Sequence, residues 1–209
     1  MSAQGSKVLS TAPLSNEDAR WISLVKTQYT DPQGVHRDWE SAERRTRPKG
    51  SLIDGVGIVA ILQKPGEPPS ILLQKQFRPP VAKIAIEVPA GLVDAGETAE
   101  QAAIRELKEE TGYVGELVGS EFGISPIMFN DPGFCNTNLN MVHVNVDLTR
   151  PENQNPQTEL EDNEFIECFT VPLTDLYVEL KKLDAEGYAI DARIGTLAEG
   201  IEIAKRWKL

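Results

Sequence analysis

Strand-length runs of apolar residues, bounded by Pro, Gly, Asn and Asp, recur along most of this chain. The stretches at 52–62 (LIDGVGIVAIL), 70–77, 84–88, 138–148 and 164–171 are rich in Val, Ile and Leu and predict β-strands. Residues 20–29 (RWISLVKTQY) and 35–45 read as two further strands around Asp31-Pro32-Gln33-Gly34, a sequence suited to a type I turn. The period becomes helical in 99–110, in 173–186 (LTDLYVELKKLDAE), which ends at Gly187, and in 191–206. Pro65 to Pro69 mark a loop, and 149–163, rich in Pro, Asn, Gln and acids, predicts a flexible one that carries Glu164. The expected organisation is a mobile tail over 1–18, an N-terminal β element over 19–50 and one α+β domain over 51–209.

The helix at 99–110 holds the most informative polar pattern. Thr98 and Gln101 have the form of a capping box, and Ala99 to Glu110 is made of strong helix formers. Gly112 supplies a residue able to close the helix in the left-handed conformation. Glu106 and Glu110 then stand about 40° apart around the axis, with Glu109 about 60° to the other side of Glu106. Ala99, Ala102 and Ala103 continue this stripe and are expected to leave room before the carboxylates. Ile104, Leu107 and Thr111 form the opposite face, ready to dock on a sheet.

Carboxylates at these spacings repel by about 0.2–0.5 kcal/mol per pair. A solvated helix intersperses lysines, whereas here only Lys108 falls within the cluster, and it points away. Three carboxylates on one face suit oxygen ligation of a hard divalent cation, Mg²⁺ or Mn²⁺. Arg105 is spaced to pair either with Glu109 or with Glu97, and the second pairing would pin the loop 91–97 to the helix.

The 209 residues suffice for one core with an appended element. A net charge of −11 argues against nucleic-acid or anionic-membrane partners. No run approaches the roughly 18 apolar residues of a membrane span, and the start MSAQGSKVLS lacks an apolar leader segment. A cytoplasmic location, or a nuclear one, is therefore expected. Cys135 and Cys168 make no disulfide framework, and His36 and His143 leave no histidine metal cage.

From Gly91 to Tyr113 the chain reads G-x5-E-x7-R-E-U-x-E-E-x-G-U, with U aliphatic or bulky apolar. At a background of roughly 7% per fixed position, the match has a chance of about 10⁻⁸ per start point. This segment resembles the Nudix box. The resemblance implies a mixed sheet sandwiched between helices (α/β/α), and a metal-dependent hydrolase acting on a nucleoside diphosphate linked to another moiety.

More of the chain is similar to the ADP-sugar (ADP-ribose) pyrophosphatase subfamily: Q-F-R-P-P at 76–80, E-V-P-A-G-L at 87–92, D-P-G at 131–133, W-E-S-x-x-R at 39–44 and N-E-F-I-E at 163–167. This likeness implies metal contacts from Ala90 (through its carbonyl), Glu106 and Glu110, with Glu109 sharing, around two or three Mg²⁺ ions; Mn²⁺ is the alternative. It implies Glu97 and Arg105 as scaffold of the catalytic loop, and Glu164 as the residue that orients or deprotonates the attacking water. Trp21 and Trp39 would stack on adenine, Arg44 and Arg78 would contact phosphate or ribose, and Glu40, Leu92 and Asp131 would complete the substrate-binding set.

Pairing the hairpin symmetrically about 32–33 sets Trp21 opposite residue 44 and Trp39 opposite residue 26. The indoles would then lie about five residues, or roughly 17 Å, apart. Two rings sandwiching a base lie about 7 Å apart, two stacking contacts of about 3.5 Å. One simple hairpin cannot supply both; a large bulge or a second copy of the chain could, and the expected assembly is a homodimer whose adenine sites each take one tryptophan from each subunit. The expected reaction is hydrolysis of ADP-ribose to AMP and ribose 5-phosphate. The alternatives are a pyrophosphatase for other nucleotide sugars or oxidised nucleotides, and a non-catalytic nucleotide sensor, whose mark would be degraded box carboxylates.

Overall fold

A computed structural model describes residues 4–209. Strands β1 (Ile22–Thr30) and β2 (His36–Arg44) form a separate antiparallel pair. The rest of the chain runs through β3 (Gly55–Gln63), β4 (Ser70–Arg78), β5 (Lys83–Glu87), β6 (Ala90–Leu92), α1 (Ala99–Thr111), β7 (Glu116–Leu117) and β8 (Met128–Phe129). It continues with β9 (Asn138–Asp147), β10 (Ile166–Pro172), α2 (Leu176–Ala185), β11 (Ala189–Ile190) and α3 (Ala192–Trp207). In the mixed sheet β9 lies parallel to β3, β11 parallel to β5, and β4 antiparallel to β3, β5 and β10.

The near-continuous apolar reading of β3 follows from burial on both faces, as a strand with a parallel partner requires. On one face Ile58, Ala60, Leu62, Leu72, Val142 and Val144 pack on Ala102, Ala103 and Leu107 of α1. On the other, Val59, Ile71, Leu73 and Ile86 meet Leu176, Leu180, Leu183, Ile194 and Ala198 of α2 and α3. The α/β/α layering expected from the sequence is present.

The hairpin register differs by one residue from the symmetric pairing. Thr30 pairs with His36, Thr27 with Trp39, and the Arg45 N–H donates to the Trp21 carbonyl. The cause is the turn. Gly34 donates to the Asp31 carbonyl, closing the type I turn, and then takes φ 79°, while Asp31 N–H bonds to the Val35 carbonyl. A type I turn followed by a left-handed glycine is a three-residue connection with a bulge, which adds one residue to the loop. Trp21 and Trp39 therefore share one face of the hairpin, six positions or about 20 Å apart, and Glu40 and Arg44 lie on the other. The sandwich within one chain remains out of reach.

Local ties refine the picture further. Next to the hairpin, Asn16 acts as a surrogate peptide, accepting from Leu24 N–H and donating to its carbonyl, and Arg45 donates to the Asn16 and Ala19 carbonyls. Residues 149–163 are tied down rather than loose, because buried Asn153 bonds the backbone of Val114 and the Asp147 carbonyl, and Glu159 N–H reaches the Glu109 carbonyl. Ala99, Ala102 and Ala103 are buried, so the small stripe of α1 does not open space before the carboxylates. It lets the helix approach the sheet closely, and it turns Glu110 inward.

Gln74, in the middle of β4, is fully buried, and its amide Nε2 and Oε1 have no hydrogen-bond partner among the described residues. Leaving such groups unpaired costs about 1–3 kcal/mol. Gln74→Leu is therefore expected to raise stability by about that amount in denaturant titrations; a lower unfolding midpoint would contradict this reading.

Candidate active site

The site is assembled where β6 passes in front of α1. Both halves of the capping box form, Thr98 with the Gln101 N–H and Gln101 with the Thr98 N–H, and Gly112 closes the helix at φ 74°. Arg105 settles the sequence ambiguity by making every contact at once. Its Nε and Nη2 donate to Glu97 at 2.9 and 2.8 Å, Nη2 also reaches the Leu92 carbonyl at 3.1 Å, and Nη1 reaches Glu106 at 2.9 Å and Glu109 at 3.2 Å. Glu97 in turn accepts from the Asp94 N–H. The loop between β6 and α1 is thus clamped to the helix by one guanidinium.

Glu110 is 4% exposed and accepts from the Ala90 N–H at 3.0 Å. Burial, followed by the charges of Glu106 and Glu164, pushes its carboxyl up to about 8, although the Ala90 bond and Arg78 act the other way. Glu106 is likewise raised by burial, with Arg105 opposing and Glu109 and Glu164 adding to the rise. Glu106 is seated so tightly that a β-carbon on Gly91 would lie 1.9 Å from its carboxylate. Any side chain there would displace the Glu106 carboxylate.

Glu164 stands in the turn just before β10, where its carboxylate accepts from the Glu161 N–H. Its charge acts on both Glu106 and Glu110, although it stands far along the sequence from α1. Lys108 is turned outward onto Glu159. On the sheet side, Arg78 Nε donates to Glu87 at 2.8 Å and Nη2 reaches its other oxygen, and the guanidinium also acts on Glu110. Glu87 was present in the sequence only as part of E-V-P-A-G-L, with nothing to mark it as the holder of Arg78.

Glu106, Glu109, Glu110 and Glu164 together with the Ala90 carbonyl supply hard oxygens here, and the Arg78 guanidinium adds a positive charge within reach of Glu110. An N–H and a C=O of one strand residue project to the same side, so the Ala90 carbonyl faces α1 with the N–H that bonds Glu110. As the side chains stand, no three His, Cys, Asp or Glu among the described residues converge on an ion, because Glu106 and Glu109 are turned onto Arg105. The donor chemistry and the unneutralised, buried Glu110 nevertheless fit a divalent cation.

The nucleotide-recognition candidates divide. Trp39 donates from its indole N–H to the Gly133 carbonyl at 3.1 Å, beside Asp131, and is 49% exposed. Trp21 is 58% exposed under the Arg20 guanidinium, distant from Trp39. The loop 134–136 docks on β2 through Ala42 N–H to the Phe134 carbonyl, and Arg47 grips Asp54 and the Asn136 carbonyl. Arg44 reaches Asp54 electrostatically at this junction, and Glu40 lies exposed opposite Lys26.

A glycine-hinged loop, a capped helix and glutamates turned onto the sheet in this spacing define a NUDIX domain, and the profile of that domain matches residues 52–193. The chain belongs to the Nudix family, whose hydrolases generally use a divalent metal. It is 55% identical over 193 residues to the ADP-ribose pyrophosphatase of Saccharomyces cerevisiae, spanning 92% of this chain and 81% of that protein. It is 37% identical over 194 residues to the ADP-sugar pyrophosphatase of Mus musculus, spanning 92% and 86%. A solved structure described as an ADP compounds hydrolase superposes with a TM-score of 0.58 at 18% identity, over 97% of this chain and 92% of that one, which shows the shared fold.

Proposed function

We propose that this protein hydrolyses the diphosphate of ADP-ribose, and of related ADP-sugars, to AMP and a sugar phosphate. The observation that carries the reading is the seating of Glu106 and Glu110 of α1 against Gly91 and Ala90 of β6, with Arg78 and Glu164 within electrostatic reach of Glu110, in a chain whose relatives carry ADP-ribose and ADP-sugar pyrophosphatase names. All seven fixed box positions are intact, which disfavours a non-catalytic sensor.

Glu106, Glu109, Glu110 and the Ala90 carbonyl would hold Mg²⁺, two or three ions, with Mn²⁺ as substitute. When bound, such cations supply the positive charge that neutralises the diphosphate oxygens. Glu164 takes the proton of the attacking water, a role its position at the rim of the carboxylate cluster permits. Arg78, fixed by Glu87, faces the phosphates. Glu97 and Arg105 keep the loop carrying Leu92 in place and do not touch the substrate.

Glu164→Gln is expected to lower kcat about 10²-fold or more while leaving the Mg²⁺ concentration for half-activation unchanged. A shift confined to metal affinity would remove the base assignment. The reading as a whole is tested by a panel of ADP-ribose, other nucleotide sugars and oxidised nucleoside diphosphates, with AMP and inorganic phosphate measured separately. AMP release from ADP-ribose in preference to the others supports it; preference for another class overturns the substrate.

The proposed active form is a homodimer. Trp21, Ile22, Leu24, Tyr29 and Trp39 leave the hairpin with exposed apolar groups on both faces, and the about 20 Å between the tryptophans is bridged only by a second copy.

A further inference from the structure

Residues at the start of α3 act on Arg78 electrostatically from the β11 side of β5. β11 pairs parallel with β5, Ala189 beside Ala85 and Ile190 beside Ile86, and the Asp191 N–H donates to the Ile86 carbonyl. Continuing that register by one residue sets Asp191 next to Glu87. Directly paired residues project from the same face of a sheet. Glu87 pairs with Gln74, and Arg78 lies on the Gln74 face of β4, so Asp191 emerges on the Arg78 side as well. The row between them contains Gln76, Ala85 and Ala189.

The Asp191 carboxylate is itself fixed. Arg193 grips it through Nε and Nη2, both at 2.8 Å, and the Arg193 N–H adds a third bond as Asp191 caps the helix. Arg78 and Asp191 are in each other's field, and Arg193 in turn feels Glu87 and Arg78. The guanidinium of Arg78 spends Nε and Nη2 on Glu87, and Asp191 forms no direct ion pair with it.

We infer that Asp191, fastened by Arg193, is a positioning residue for Arg78: its charge completes the negative frame that keeps the guanidinium directed at the substrate diphosphate. The inference rests on the hydrolase reading for the role of Arg78. It assigns the C-terminal β11–α3 corner, remote from the box in sequence, a part in substrate affinity.

The test is a double-mutant cycle on steady-state ADP-ribose hydrolysis. Asn caps a helix as well as Asp, so Asp191→Asn removes the charge while retaining the fold, and unchanged thermal unfolding checks this. It is expected to raise KM about fivefold, a coupling ordinary within one salt-bridge network, with kcat little changed. In an Arg78→Gln background the same substitution should have no further effect. Asp191→Ser, with another good capping side chain, should repeat the result if the Asn variant folds poorly. Additive losses in the two backgrounds, or an unchanged KM in the folded single variant, overturn the inference. If the unmodified protein does not hydrolyse ADP-ribose, the function proposed above falls instead.

Discussion

Glu110→Gln is expected to abolish ADP-ribose hydrolysis, by about 10²–10³-fold or more, and to make the metal-free protein more stable at neutral pH. Both effects have one origin. The Glu110 carboxyl is pushed from its usual 4.5 to about 8, chiefly by burial. Between those two values the folded protein keeps a proton that the unfolded chain has released, so stability falls as pH rises from about 4.5 to about 8. The full span corresponds to an upper bound of about 4–5 kcal/mol. A neutral amide removes that loss, and Mg²⁺ should offset it in the unmodified protein by binding the folded state. Denaturant unfolding of both proteins at pH 5 and pH 8, with and without Mg²⁺, measures the difference. Equal pH dependence in the two, or turnover retained by the variant at saturating Mg²⁺, would remove Glu110 from the metal site.

Mixing two inactive chains is expected to restore activity. Trp21→Ala and Trp39→Ala should each remove one ring of every adenine sandwich, and base stacking contributes about 1–3 kcal/mol per ring. If each site draws its two indoles from different subunits, a mixed dimer has one doubly deficient site and one intact site. Random exchange of equal amounts then gives about a quarter of the unmodified rate at low ADP-ribose, because about half the dimers are mixed. The comparison needs dimers exchanged and confirmed by mass. Confirmed mixed dimers with no recovery would show that both tryptophans do not serve one shared site.

The sequence displayed its helix well because the signals there are local. Thr98, Gln101 and Gly112 mark the ends of α1, and the glutamate spacing fixes their angles without knowledge of the fold. The positions of β3, β4, β9 and β10 along the chain were legible for the same reason, each being a long apolar run, but their order in the sheet was not. What escaped depends on exact turn geometry, on elements too short to show a period, or on neighbours distant in sequence. The Asp31–Gly34 turn shifted the hairpin by one position, and one residue is enough to move Trp39 from the Trp21-opposed face onto the same face. β6, β7, β8 and β11 are two or three residues long, too short for any period to register. The alanines of α1 were read as space and proved to be contact, since small residues equally serve close helix–sheet approach. Asp191 was legible only as the first residue of the predicted helix 191–206, and only strand pairing brings it beside Glu87, the partner of Arg78.

The seat of Glu106 against the bare Gly91 backbone sets the order of events in ion capture. Folding itself confines this side chain, through contact with a strand, before any cation arrives. On the proposed metal reading, chelation requires the carboxylates of both Glu106 and Glu109 to turn from Arg105, while Glu110 keeps its place on the Ala90 N–H. Part of the ordering entropy that a flexible chelator loses on binding has thus been lost already, at the moment the strand met the helix.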